Sequence, residues 1–510
     1  MLDEKPAQGW PPAAGISLAE KTARRRLITF ALASVAGAVL LLLPAPGTMS
    51  ASAWTTTALV AFMALLWLTE ALPIAATALA PLALGPLLGL GQLPALTGSY
   101  ASSLVFLLLG GFAIGLSMER CGLHRRLALL VLAACGARAD RVVGGIMLAT
   151  AVLSMWISNT ATAAMMVPIG LSIITLLEAS GSMPHTPSET GAAQRPLTVP
   201  IVLGVAFAAN IGGMATLIGT PPNAVLAGYM ARVHGLDIGF AQWMVVGLPV
   251  AASLLAICWL ILTRVSWQLH KVRIEGVSAM VARERGRLGR ISAGEKRFAV
   301  VFTLTVLGWL FRPALDAALP GIGLSDAGIA LLATMALFIL PDDMDRGRFL
   351  LDWPATRDLP WGVLLLVGGG LALGGLIQTQ GLADWVGGVL SGMESWPLPL
   401  SIAAVSLATM LVSHVASNTA TAAALTPVAA ALAVTIGAAP VALGVPLALA
   451  ASCAFMMPVA TPPNAIAHGT GLVTTGQMAR SGALISVISL GVIVGAGILV
   501  ANSSFGGPGG

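Results

Sequence analysis

The sequence predicts an all-α polytopic membrane protein: about 11 transmembrane helices and two re-entrant hairpins, arranged as two inverted repeats. Three observations predict it. The 510 residues are 57% hydrophobic and only 9% charged, with a mean hydropathy of +0.91, against about 25% charged in an ordinary soluble domain. Two polar strings recur in order: Ser158-Asn159-Thr160-Ala161-Thr162-Ala163-Ala164 returns as Ser417-Asn418-Thr419-Ala420-Thr421-Ala422-Ala423, and Thr220-Pro221-Pro222-Asn223-Ala224 returns as Thr461-Pro462-Pro463-Asn464-Ala465. A single strongly basic stretch divides the chain between the copies. Long apolar runs also exclude a transmembrane barrel, which would alternate over about ten residues.

Residues 1–26 are polar and close on Lys21, Arg24, Arg25 and Arg26, which marks a cytoplasmic tail. The apolar run from Leu27 to Leu43 is longer than the roughly 7–15 residues of a signal-peptide core. Residues 27–53 are therefore assigned to the first transmembrane helix and its exit.

Repeat 1 covers 54–263. Apolar segments near 54–72, 74–92 and 102–118 read as spans, with Glu70 at a membrane surface. Arg120, His124, Arg125, Arg126, Arg138 and Arg141 bracket the leucine-rich 127–135, which predicts a cytoplasmic interfacial helix. Residues 142–178 hold two apolar arms with Ser158-Asn159-Thr160 at their joint. Arms of roughly 16 residues do not comfortably cross a core of about 30 Å, so a re-entrant hairpin is predicted. Glu178 then lies at an interface and 180–196 stays cytoplasmic. Residues 197–233 form a span broken at Asn210-Ile211-Gly212-Gly213 and again at Gly219 to Asn223, and 243–263 returns inside.

The linker 264–297 carries nine Lys/Arg against three Glu, and parity places it in the cytoplasm. Repeat 2 covers 298–503: spans near 298–315, 322–340 and 361–378, a hairpin at 386–436, a broken span at 440–472 and a last span at 481–502. Asp384 is interfacial, and Asp342 to Arg348 is a charged turn. Residues 504–510 form an external tail. Gly110-Gly111 matches Gly368-Gly369, and Gly122 matches Gly381, so the halves align beyond the motifs.

The net charge of +5 is a topology signal and implies no nucleic-acid partner. Cys121, Cys135, Cys258 and Cys453 form no CxxC pair and read as packing residues. An intramembrane hydrolase would need a Ser/His pair, an HExxH or paired aspartates within spans. No HExxH occurs, and the adjacent Ser413 and His414 sit in a repeat whose other copy has Met155 in place of the histidine.

A helix broken at mid-membrane exposes N–H groups that attract anions and carbonyls that suit Na⁺. Ser, Thr and Asn can serve either charge, because they donate and accept. An anion held there by neutral donors calls for co-bound cations, since one ionised group at the centre costs at least about 2.5–3.5 kcal/mol. His414 has two readings: a hydrogen-bonded structural histidine, or a protonatable group that replaces a cation.

At these strings, and at Trp67-Leu68-Thr69-Glu70-Ala71-Leu72-Pro73 and Pro360-Trp361-Gly362-Val363-Leu364-Leu365-Leu366, the chain resembles the divalent anion/Na⁺ symporter family, over about 27–503. The resemblance implies a homodimer in which scaffold and transport domains move as an elevator. It implies one Na⁺ at Ser154, Ser158, Asn159 and Gly219 and a second at Ser413, Ala416, Asn418 and Ala460. Substrate would meet Asn159, Thr160, Asn418 and Thr419, helped by Thr220, Pro221, Thr461 and Pro462. The expected function is Na⁺-coupled uptake of C4-dicarboxylates across a bacterial inner membrane, with no cofactor. The alternatives are a Na⁺-independent dicarboxylate exchanger and a Na⁺/sulfate symporter.

Overall fold

The computed structural model describes residues 18–136, 138–179, 197–269, 277–319, 321–503 and 505. The tail 1–17, the predicted cytoplasmic loop 180–196, the linker segment 270–276 with Lys271 and Arg273, and most of the tail 504–510 lie outside them. The chain is almost wholly helical. Its principal helices are α1 (Leu18–Leu42), α2 (Ala51–Thr69), α3 (Ser103–Cys121), α4 (Leu123–Ala133), α5 (Ala139–Ser154), α6 (Asn159–Ala179), α7 (Thr198–Gly213), α8 (Pro221–His234) and α9 (Phe240–Leu260). They continue with α10 (Val277–Leu288), α11 (Ala293–Leu310), α12 (Asp326–Ile339), α13 (Trp361–Thr379), α14 (Leu398–Ser413), α15 (Asn418–Thr435), α16 (Pro440–Ala451), α17 (Pro462–Gly469) and α18 (Thr475–Ala501). Pro341–Asp343 and Arg348–Phe349 pair as a two-stranded antiparallel ribbon around the charged turn.

Seven helices among the described residues are long and apolar enough to cross a bilayer, and α11 with Arg312–Ala318 makes an eighth if its 75° bend lies within one span. The remaining apolar helices are short because the sequence interrupts them. One expected span differs in kind. Residues 74–92 form no continuous helix but two short ones, Ile74–Thr77 and Ala80–Leu84, followed by turns. Pro81 is tolerated in the first turn of Ala80–Leu84, and Gly85-Pro86 stops propagation directly after Leu84. The segment read as an interfacial helix is helical, as α4, and the linker holds a helix, α10, that packs against it.

Element order repeats in the two halves. α3 ends at Gly122 (φ 79°) and α13 is followed by Gly381 (φ 76°), and each glycine starts a short helix. A positive φ of that size favours glycine, which explains the match. α5 and α14 are each 16 residues long and run to the two tips, spanning only about 24 Å at 1.5 Å per residue. α6 and α15 start on the motif asparagines. α7 is buried at every position, and α16 at all but its first. These two helices form the centre, because they are apolar all round and have no polar face to offer water. Leu27, Leu42, Val245, Val487 and Leu499 are exposed on outer helices, a surface that hydrocarbon rather than water would cover.

Candidate functional site

Both tips are four-residue breaks, 155–158 and 414–417, each closed by a helix N-terminus. Ser158 Oγ accepts from the Ala161 N–H at 3.2 Å and so caps α6. Thr160 is exposed and Thr419 is buried. The broken spans resume at α8 and α17, where Thr220 and Thr461 stand at the N-cap and the paired prolines fill the first turn. Proline fits there, because its missing N–H would have no partner in the helix anyway. α17 packs on α6, and α8 on α15, so the second part of each broken span meets the hairpin of the opposite half.

Around the first tip the structure brings together Ser154, Asn159 and Gly219. One amide atom of Asn159 lies 2.7 Å from Ser154 Oγ, 3.1 Å from the Ala209 carbonyl and 3.3 Å from the Gly219 carbonyl. With nitrogen in that position the amide donates to all three. With oxygen there, four oxygens converge, which is the environment of a hard cation. Glycine lines this pocket by necessity. A Cβ on Gly213 would stand 2.5 Å from Asn159 Oδ1, and one on Gly219 would stand 2.6 Å from the Gly213 carbonyl. Ser154 Oγ also donates to the Ala209 carbonyl at 2.8 Å, tying α5 to α7. Thr216 Oγ1 donates to the Met155 carbonyl at 2.6 Å and ties the loop to the tip. Of the four residues expected here, Ser158 contributes its side chain to the helix cap instead.

The second tip is assembled differently. Ser413 Oγ donates to the Ala451 carbonyl at 2.6 Å, in the same way as Ser154 to Ala209. Asn418 Oδ1 instead accepts from its neighbour Thr419 Oγ1 at 3.2 Å. Among the described residues no hydrogen bond joins Asn418 to Ser413 or Ala460. Ala416 and Ala460 are buried nearby in sequence to the tip and the loop, and only their backbone could bind an ion.

His414 caps the C-terminus of α14, and its Nδ1 donates to the Met410 carbonyl at 2.6 Å, while Nε2 is buried and has no partner among the described residues. The ring is thus hydrogen-bonded to its own helix, in line with the first of its two readings.

Three residues escaped assignment from sequence. Asn223 Nδ2 donates to the carbonyls of Gly213, Met214 and Thr216, and Asn464 Nδ2 to those of Ala454 and Met457. Each asparagine fastens its own broken loop, where unwound carbonyls need donors. Asn210 Nδ2 crosses between halves to Thr461 Oγ1 at 2.9 Å and Asn464 Oδ1 at 3.2 Å. Polarity at a position buried on every side was the available signal. A cavity of about 1270 Å³ opens beside the first hairpin, lined by Ala161, Ala164 and Pro168 of α6, by Arg125, and by Arg283 and Arg287 of α10. Arg126 ties the segment just past α10 to α11, bonding Glu295 at 2.9 Å and the Gly289 carbonyl at 3.1 Å.

The family model described as the sodium:sulfate symporter transmembrane region matches residues 24–502. The chain belongs to the sodium:sulfate symporter family. It is an integral membrane transporter and not an enzyme. The chain is 36% identical over 456 residues to the sodium-dependent dicarboxylate transporter SdcS of Staphylococcus saprophyticus, covering 89% of this chain and 87% of the relative. It is 38% identical over 439 residues to SdcS of Staphylococcus aureus strain USA300, covering 86% and 84%. In fold it is similar to the YdaH transporter of Alcanivorax borkumensis (TM-score 0.57, 14% identity, 81% of this chain and 88% of that one). MtrF of Neisseria gonorrhoeae is similar too (TM-score 0.57, 12% identity, 94% and 95%).

Proposed function

We propose that this transporter takes up C4-dicarboxylates such as succinate, malate or fumarate together with Na⁺, by alternating access of an elevator kind within a homodimer. The observation that carries the reading is the Asn159 pocket, where Ser154, Asn159 and the Ala209 and Gly219 carbonyls crowd one point beside a helix N-terminus. A cation there offsets the charge of an anion held at the start of α6, and the anion in turn favours the cation. Coupling follows from that mutual stabilisation, since neither ion is well held at membrane depth alone. Asn159, Thr160, Asn418 and Thr419 would meet the carboxylates, with Thr461, Pro462 and Pro221 behind them. The second Na⁺ would sit at Ser413, Ala416, Asn418 and Ala460 once the Asn418 amide turns from Thr419. Dicarboxylate rather than sulfate is favoured by the similarity to transporters named for dicarboxylate.

The N-terminus would be cytoplasmic and the C-terminus external in a bacterial inner membrane. The arginine-lined cavity next to α6 would then be the cytoplasmic route of release. Proteoliposomes tested with labelled succinate and sulfate, in Na⁺ and in choline, decide the matter. Succinate uptake that requires Na⁺ and is abolished by Asn159→Ala and Asn418→Ala is expected. Full uptake in choline would replace the symporter by an exchanger.

A further inference from the structure

The two ends of the helix assembly are not alike. α9 ends and α11 begins at the basic linker, so Phe240, which starts α9, and Trp309, near the end of α11, stand at the far ends of these helices. At 1.5 Å per residue that is about 25–30 Å from the linker. On the linker side the cavity of about 1270 Å³ opens between α6 and α10. At the far end a set of bonds gathers on Asp326, the first residue of α12.

Asp326 Oδ2 accepts from the Phe240 N–H at 2.8 Å. Gly239 holds the N-cap position of α9 and has no side chain with which to cap it, so the carboxylate of another helix does so. Arg312 Nε lies 3.2 Å from Asp326 Oδ1 and pairs with the same carboxylate. The Trp309 indole N–H donates to the Asp326 carbonyl at 2.9 Å, and its ring stacks on Phe240 with centroids 4.3 Å apart. A Cβ on Gly239 would stand 3.0 Å from Arg312 Nη2, so glycine lets the loop lie this close. The aromatic row continues inward. Trp156 lies 6.1 Å from Phe240 and 5.0 Å from Phe302 of α11, so the tip that carries Asn159 touches the same row.

These contacts join two groups of helices. α9 packs on α5 and α7, which carry the first hairpin and the first broken span, and on α18. α11 and α12 pack on each other and on α3. A cavity of about 90 Å³ remains between the groups beside Asp326, lined by Ser103, Arg312 and Asp326 of one and by Leu217, Gly228 and Asp237 of the other. At this end the groups therefore meet through a few directional bonds and a stack. Such a contact is lost over a short displacement, because a hydrogen bond weakens steeply with distance and angle.

We propose that Asp326, with Arg312 and the Phe240–Trp309 stack, is a latch that holds the α9 group against α11 and α12 while the cavity on the linker side is open. It must release for the site to reach the opposite face. The proposal rests on the alternating-access reading above. Asp326 and Arg312 lie in neither ion pocket, so they set the balance between the two states and bind no transported species.

The test uses the purified full-length protein lacking Cys121 and Cys135, with one reporter cysteine at a time. Ile238→Cys replaces a side chain 3% exposed beside the latch, and Ser172→Cys lines the open cavity. Thiol labelling in detergent, without Na⁺ or substrate, is compared with and without Asp326→Ala. Loss of one charge-assisted bond shifts a two-state balance about tenfold or more. Ile238→Cys should then label about tenfold faster, and Ser172→Cys more slowly. In proteoliposomes a larger fraction opens to the outside, so the external succinate needed for half-maximal uptake should fall several-fold. Unchanged labelling of Ile238→Cys would overturn the latch. So would faster labelling there with Ser172→Cys unchanged, which is local fraying without movement of the helix group. A half-saturating succinate concentration that does not fall would make the bonds structural only. If Asp326→Ala does not fold, Arg312→Gln takes its place with the same directions expected. If wild type takes up no succinate, the dicarboxylate reading fails, while the substrate-free labelling still judges the latch.

Discussion

At the scale of single residues, the first tip is governed by what glycine leaves open. A Cβ at Gly219 would lie 2.6 Å from the Gly213 carbonyl and 3.0 Å from Thr216 Oγ1, and the carbonyl is backbone that cannot swing aside. Gly219→Ala should therefore distort the pocket at about 1–3 kcal/mol of overpacking. The Na⁺ concentration for half-maximal uptake should rise about tenfold or more, with folded protein still obtained, as Na⁺ titrations of uptake would reveal. His414 gives the opposite expectation. Its Nδ1 is committed to the Met410 carbonyl, a bond within its own helix, and the first half carries Met155 at that place. His414→Met should keep Na⁺-dependent uptake within about threefold of wild type, under roughly 0.7 kcal/mol by the same conversion. Loss of Na⁺ dependence in that variant would show that the ring takes part in coupling.

At the scale of elements, the broken spans are stabilised by asparagines that replace the missing helical bonds. Asn210 is the one that joins α7 to α17, at 2.9 and 3.2 Å. Asn210→Ala leaves Thr461 Oγ1 and Asn464 Oδ1 without that donor. Hydrogen bonds between helices in a bilayer contribute about 0.6–2 kcal/mol each. Unfolding of the purified variant should therefore begin a few degrees lower, since about 1 kcal/mol shifts the midpoint of a domain of some 200 residues by roughly 2–4 °C. In a double-mutant cycle the loss should be non-additive with Asn464→Ala, because the two side chains share one bond. Additive losses would mean that the brace carries no coupling.

At the scale of the whole molecule, function depends on which membrane face each half presents. The basic linker places α10, with its outward Ala282, on the cytoplasmic side in the reading proposed above, and Phe505 on the other side. Ala282→Cys should react with an impermeant thiol reagent only from the cytoplasmic face, and Phe505→Cys only from outside. A background lacking Cys121 and Cys135, which are partly accessible, keeps the measurement clean. Labelling of both new cysteines from one face would remove the inverted arrangement of the halves.

The sequence by itself determined the helical membrane class, both tips and both broken loops. These are local properties of the Thr-Pro-Pro-Asn and Ser-Asn-Thr strings. The break expected at Asn210-Ile211-Gly212-Gly213, however, does not occur: α7 runs through those residues, held by packing on every side, and the chain unwinds only at 214–220. The same local rule misread 74–92, where apolar length outweighed Pro81, Gly85 and Pro86, although those residues carried the correct signal. Tertiary structure alone decided the partnerships. Asn210 meets Asn464 across 254 positions of chain, and no pattern within either segment encodes that meeting. Identical strings around Asn159 and Asn418 also end in different bonds, one amide toward Ser154 and the loop carbonyls, the other toward Thr419. The reason is physical: an amide's direction is set by the donors and acceptors that folding brings within about 3 Å of it. Those atoms come from α7 and the loop before α8, which lie outside the motif.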